Sequence, residues 1–345
     1  AFRDFSAVTN GSVAGLPDIE ALGQCSRLTS LVISEIMYHP ADDRLEYVEI
    51  FNSRAEPEDL SGCELGGSIR YTFPPGSAIP GGGFLVVAGS PADFRSAYGI
   101  DAVLGPFTGS LPNSEGVVTF RNQAGGLFLE VEYADRDPWP VAADGAGHSL
   151  ALKRPSLGEG NPLAWGPSDS IGGSPGRIDP WEPDPARTVL INEFLARTDP
   201  PDRDSIELYN HGAQAVDLSG CVLTDDPSAN RFVIPAGTVI PPRGFLCFSE
   251  ADLGFALDAA GETIVLKNAA GTRVLDSVRF DGQESGVATG RSPDGSKELF
   301  RLAVWTPGAA NAPPRVHDVA INEIMYRPIS GDDDGQYIEL FNSGA

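Results

Sequence analysis

One phrase occurs three times in this chain, and its spacing limits the fold more than any other feature. The first copy runs from Val32-Ile-Ser-Glu-Ile-Met-Tyr-His-Pro40 through Glu46-Tyr-Val-Glu-Ile-Phe-Asn52 to Asp59-Leu-Ser-Gly-Cys63. The second reads Leu190-Ile-Asn-Glu-Phe-Leu-Ala196, then Asp204-Ser-Ile-Glu-Leu-Tyr-Asn210, then Asp217-Leu-Ser-Gly-Cys221. A third begins at Ala320-Ile-Asn-Glu-Ile-Met-Tyr-Arg-Pro328 and reaches Gln336-Tyr-Ile-Glu-Leu-Phe-Asn342. Glu35 and Glu49 lie 14 positions apart, as do Glu193 and Glu207, whereas Glu323 and Glu339 are 16 apart. Self-similarity at fixed spacing marks duplicated modules, and a two-residue insertion belongs in the connecting turn.

Each phrase reads as paired strands. Alternation places Val48 with Ile50, Ile206 with Leu208, and Ile338 with Leu340 on one face, the expected core face. Connecting segments rich in Pro, Asp and Gly suit short links between antiparallel strands. With 40 Gly and 29 Pro among 345 residues, many short strands joined by tight turns are favoured over helices. Further strands are expected at Gly116 to Phe120, Leu127 to Tyr133 and His148 to Lys153, with counterparts at Glu262 to Lys267, Arg273 to Phe280 and Val287 to Arg291. Asn122 to Gly126 and Asn268 to Gly271 read as hairpin turns. The class is all-β, as tandem immunoglobulin-like sandwiches, two complete and one partial.

The expected division is an N-terminal extension over 1–30, with a short helix near Leu16 to Leu22. A first sandwich over 31–178 and a Pro-rich linker over 179–187 follow. A second sandwich spans 188–312, a linker 313–318, and the first two strands of a third module 319–345. Asn10-Gly11-Ser12 fits a glycosylation tripeptide. The linkers, stiffened by proline, predict modules set like beads at restricted angles. An isolated hairpin is marginal in water, so the third module's apolar face requires cover, from continuing chain or by strand addition to a neighbouring copy.

A net charge of −24, from 48 acidic and 24 basic residues, repels phosphate backbones and excludes nucleic acid as a partner. There is no apolar run long enough for a membrane span, and no charged-then-apolar leader, so a soluble mature form or an excerpt is expected.

The motif series Ile-Asn-Glu, Tyr-(Ile/Val)-Glu, Asp-Leu-Ser-Gly, Phe73-Pro-Pro-Gly76 and Ile79-Pro-Gly-Gly-Gly-Phe84 resembles the lamin tail domain family. That resemblance implies an immunoglobulin-like sandwich in large secreted or surface-attached bacterial proteins, with structural or attachment roles and no catalytic residues. The implied setting is extracellular, cell-surface or periplasmic. In that family the residue after Asp-Leu-Ser-Gly is commonly Trp, where this chain has Cys63 and Cys221. Two pairings follow as candidates, Cys221 with Cys247 and Cys25 with Cys63; free buried thiols are the alternative.

The repeated carboxylates Glu35/Glu49, Glu193/Glu207 and Glu323/Glu339 are the sharpest candidates for chemistry, able to share a proton or hold a cation. The structural reading is favoured: Glu49 accepts backbone N–H groups or pairs with a base. Like charges directly opposite are unfavourable, so a diagonal arrangement is expected. Asp42, Asp43 and Glu46, and Asp332 with Asp334, are candidate calcium ligands without EF-hand spacing; the default is a solvated acidic turn, and no other cofactor is implied. His39, His148, His211 and His317 form no metal or nucleophile set and read as structural. Trp139, Trp165, Trp181 and Trp305 fall near module ends, suited to plugging boundaries or to stacking on sugars. The expected role is a non-enzymatic scaffold meeting protein partners, or itself, through module ends or the unfinished third module. Alternatives are adhesion, carbohydrate or protein binding, and an accessory region of a larger secreted enzyme.

Overall fold

The structure is a computed structural model describing residues 19–316, 319–329 and 331–342. Two β-sandwiches with separate cores account for most of it. In the first, a six-stranded sheet has the order Trp165–Pro167, Leu150–Leu152, Leu31–Met37, Tyr47–Asn52, Phe84–Ala88, Val103–Leu104. All its pairings are antiparallel except the last. A five-stranded sheet, Leu127–Ala134, Glu115–Arg121, Glu64–Gly67, Ile69–Thr72, Thr108–Gly109, packs over it. Val48, Ile50, Leu65, Phe73, Val118 and Phe120 fill the space between, so the alternation read from sequence does set the buried face.

The second sandwich repeats the plan with five strands, Phe245–Ser249, Ser205–Asn210, Val189–Leu195, Thr289–Arg291, Leu299–Arg301, facing four, Phe232–Val233, Val222–Thr224, Gly261–Lys267, Val274–Asp281. Ile206, Leu208, Leu223 and Ile264 are fully buried between them. The turns at Asn122 and Asn268 are built by the asparagine side chains, which accept from the amides of Ala124 and Gly126 and of Thr272 and Arg273.

Four expectations are corrected. Residues 19–22, the described part of the anticipated N-terminal helix, are not helical; a helix instead forms at Pro91–Tyr98. Pro91 starts it, Gly99 ends it in the left-handed conformation, and Phe94 is buried beneath it with Met37, Tyr47 and Val86. It covers the outer face of the larger sheet.

Neither candidate disulfide is formed, and all four cysteines are free thiols. Cys221 points into the inter-sheet core, whereas Cys247 sits opposite Glu207 on the other face of its sheet. Cys63 lies in the first core while Cys25 sits beside Glu159, and burial pushes the Cys25 thiol up to about 12.

The third hairpin, Val319–Met325 with Tyr337–Asn342, forms with the same bulged register as the others. Its expected core face is exposed, with Ile338 at 63% and Leu340 at 64%. No second sheet lies over it among the described residues. Asn10-Gly11-Ser12 and His317 lie outside the described residues.

Finally, the two sandwiches are not beads on a stiff string. They share a packed junction.

Candidate functional site

The first strand of each module carries a bulge immediately before its glutamate, between Ile33 and Glu35, Ile191 and Glu193, and Ile321 and Glu323. The extra residue turns the glutamate to face its partner directly: Glu35 opposes Glu49, Glu193 opposes Glu207, and Glu323 opposes Glu339. The expected diagonal arrangement is therefore wrong. In the two complete modules direct opposition is tolerable because burial favours the protonated form of these carboxyls. Burial pushes Glu35 up to about 7 and raises Glu49 well above the usual carboxylate range, with the neighbouring carboxylate adding to the latter.

What covers the pair is a tripeptide at the end of each of the two complete modules. Ser174 N–H donates to Glu35 at 2.8 Å, and Gly176 N–H donates to Glu49. The Ser149 hydroxyl adds a donor to Glu35, and the bulge residue Ser34 donates to Glu49 at 2.8 Å. In module two, Thr306 N–H donates to Glu193 at 3.1 and 3.2 Å, and Gly308 N–H to Glu207. Ser174-Pro-Gly176 and Thr306-Pro-Gly308 thus form the same latch. Proline, lacking an N–H, sits between the two donors, which point at the two carboxylates. Burial likewise pushes Glu193 up to about 6 and Glu207 up to about 7.

Close approach of the latch needs Gly173, at φ +79, where a Cβ would fall 2.4 Å from Glu35 Oε1 and 2.2 Å from the Tyr47 hydroxyl oxygen. Gly173→Ala is expected to destabilise the first module by about 2 kcal/mol or more through combined strain and displacement of the latch. A thermal melt of the purified variant checks this; an unchanged melt would mean that the latch is not seated on Glu35.

Beside the first pair is a small cavity of about 30 Å³ lined by Glu35, Glu49, Ser34, Ser174, Lys153 and Asp179. Lys153 and Asp179 are in direct ionic contact there, their side chains 15% and 11% exposed.

The junction between the modules was not foreseen. Asp169, with no exposed side-chain surface, receives Arg187 and Arg273. Arg273 also donates to the Asp169 carbonyl at 2.9 Å and to Asp184 at 3.3 Å. His148 binds across the junction, its Nε2 accepting from Val274 N–H at 2.9 Å while Nδ1–H donates to Ser168 O at 2.8 Å. Burial lowers His148 to about 4, consistent with the neutral ring these two bonds require. Ala142, Ala146, Val265 and Val274 form a shared apolar cluster, and Arg279 reaches back to Asp135 at 3.0 Å and Asp144 at 2.9 Å. Asp144 also holds His39 Nδ1 at 2.7 Å.

The calcium candidates do not converge. Asp42 binds the Arg44 guanidinium at 2.6 and 2.9 Å, and Glu46 accepts from Leu111 N–H at 3.1 Å. Asp43 lines an open surface depression with Glu46, and Asp332 accepts from Asp334 N–H at 3.1 Å. Among the described residues no three His, Cys, Asp or Glu side chains group around a point that could hold a metal ion. Among the described residues these tryptophans form no exposed row: Trp139 and Trp165 are buried 6.3 Å apart in the first core, and Trp181 lies under the Arg187 guanidinium at 3.8 Å. Among the described residues no helix is long and apolar enough to cross a membrane.

The lamin tail domain profile matches residues 26–135 and 182–282. The chain belongs to the lamin tail domain family. The lamin tail domain family is a family of immunoglobulin-like sandwiches without catalytic function, and here its lamin-tail module is repeated in tandem. No curated protein matches the chain. Among solved structures, an exo-β-D-glucosaminidase, in complexes describing its inhibition by a glucosamine-configured castanospermine and an amino-australine analogue, matches at 10% identity with a TM-score of 0.17. The match spans 72% of this chain but 26% of the enzyme, and carries no argument about activity.

Proposed function

We propose that this chain is a non-enzymatic structural element, a strut of lamin-tail modules held at a fixed angle, serving a surface layer, fibre or larger complex. The extracellular, cell-surface or periplasmic setting belongs to this proposal. The observation that carries it is the junction: a fully buried Asp169 gripped by Arg187 and Arg273 from the far side of a shared apolar contact. Modules that only tether a ligand or an enzyme gain nothing from a desolvated charge network between them, whereas a load-transmitting element does. The repeated carboxylates fit the same reading, since in both modules they receive backbone donors that fasten the closing segment.

Small-angle scattering of the intact chain tests the strut. A profile fitted by one arrangement of the two modules is expected. A profile that requires a broad range of intermodule angles would overturn it, as would turnover of a glycoside panel that is lost in Glu35→Gln.

A second reading, protein recognition, is favoured by the third hairpin, where Ile321 is 61% and Ile324 57% exposed alongside Ile338 and Leu340. It complements the strut, because a fibre or layer component needs surfaces that meet its neighbours.

A further inference from the structure

Lys153 and Asp179 meet beside the carboxylate pair of the first module. Ala151 pairs with Glu35, and Lys153, two residues on and just past the end of that strand, lines the same cavity as the carboxylate pair. Asp179 follows the latch and also accepts from the Asp169 amide at 3.0 and 3.1 Å, which fixes its carboxylate. Withdrawing an ammonium and a carboxylate from water is unfavourable, and contact between them recovers only part of that loss. An amide at the same contact carries no charge to withdraw from water.

The second module shows what the position does without this pair. Glu193 opposes Gly290 as Glu35 opposes Ala151, so the residue matching Lys153 is Ser292. Counting from Gly176 and Gly308, the residue matching Asp179 is Asn311, which donates to Asn192 O at 3.0 Å and Arg291 O at 2.8 Å. There a neutral amide closes the module through hydrogen bonds alone. Only the first module sets a lysine against an acid at these positions, with two further carboxyls lining the same cavity.

We propose that Lys153 and Asp179 are joined by an intramolecular amide bond between Nζ and Cγ. A proton passes from the lysine ammonium to the aspartate, giving amine and acid. The Nζ lone pair attacks Cγ, the C–N bond forms, and the carbonyl π electrons move onto oxygen. The Glu35–Glu49 pair accepts the proton released by nitrogen and returns one to the departing hydroxyl. The carbonyl re-forms, the C–OH bond breaks, and one water leaves. No oxidant, reductant or co-reactant enters. Both glutamates are held by donors from the latch, and burial keeps Glu35 able to exchange a proton near neutral pH. The cavity of about 30 Å³ has room for the water released. The bond ties the end of the strand Leu150–Leu152, next to the edge of the larger sheet, to the segment leading into the second module. A pull arriving through the junction would then be borne by a covalent tie beyond the latch.

Intact-mass measurement of the purified full chain is the test. A mass about 18 Da below that of the sequence, one water, is expected. Proteolysis should then yield a branched peptide carrying Lys153 and Asp179. Lys153→Arg and Asp179→Ala should both restore the full mass, and Glu49→Gln should slow bond formation at least tenfold. The Asp144-Gly145, Asp281-Gly282, Asp294-Gly295 and Asp334-Gly335 steps could each lose water as cyclic imides. A deficit that maps to one of these, or that hydroxylamine removes, overturns the proposal. So does a folded chain, judged by its melt, whose mass equals that of its sequence after prolonged incubation at neutral pH: the contact is then an ion pair only.

Discussion

Replacing Arg273 with alanine is expected to destabilise the chain by about 3 kcal/mol or more and to release the second module from the first. The size follows from what the change leaves behind. Asp169 has no exposed side-chain surface, and removing one partner of a buried charge typically costs about 3 to 5 kcal/mol, because the other is left incompletely compensated. Arg187 stays in place, which sets the estimate at the low end. The donor to the Asp169 carbonyl and the contact to Asp184 go as well. Since each module has its own core, loss of the junction should split a single urea transition into two and broaden the range of intermodule angles in scattering. Arg136→Ala is the control. Its partner Glu115 is 64% exposed and Arg136 itself 68%, and surface pairs of this kind contribute at most about 1 kcal/mol. If Arg273→Ala and Arg136→Ala behaved alike, the modules would be independent and the strut reading would fail with the junction.

The contrast between these two arginines also shows where sequence reading reaches its limit. Strand periodicity is local, so the Tyr47–Asn52 strand and its buried face could be read from six residues. That Glu49 lies on the opposite face followed from the same alternation; of the two partners expected for it, backbone N–H groups or a base, Gly176 N–H is the one it meets. The junction is not local: Arg273 and the Asp169 carbonyl it binds are 104 positions apart, and neither sits in a motif. Arg273 looked like any base at the start of a strand. His148 read as a structural histidine, which it is, but nothing in Gly-His-Ser names Val274 as its partner. The Pro91–Tyr98 helix had its signals, Pro91 at the start and Gly99 at the end, yet with only Phe94 buried it lacks the repeated apolar face that marks a longer helix. The diagonal carboxylate arrangement failed for a different reason. The rule against opposed like charges assumes that both are ionised and solvated, and in the two complete modules burial under the latch removes both conditions.

That last point carries a pH dependence. The stability of the chain is expected to fall as pH rises from about 5 to about 8, which is opposite to the behaviour of a protein stabilised mainly by carboxylate salt bridges. Glu35 goes from an ordinary 4.5 to about 7 in the folded chain, so the native state binds its proton more tightly than the unfolded state does. Its favourable contribution is complete below pH 4.5 and is lost as pH climbs through 7. At about 1.4 kcal/mol per pKa unit, the displacement corresponds to roughly 3 kcal/mol, or a fall of roughly 6 to 12 °C in melting temperature for modules of this size. Glu193 and Glu207, pushed up to about 6 and about 7, titrate in the same window and act in the same direction, while His148, lowered to about 4, acts against them below about 6.5, so the fall is steepest above that pH. The net charge of −24 also favours lower pH by easing self-repulsion, and salt separates the two causes. Repulsion between surface charges is screened within about 8 Å at physiological ionic strength, whereas a buried pair under its latch is screened far less. Melting curves in high salt should therefore keep most of the slope, and Glu35→Gln, which cannot ionise, should remove part of it at every salt concentration. A slope that vanished in salt, or survived unchanged in Glu35→Gln, would mean that the carboxylate pairs are solvated and that the latches do not close over them.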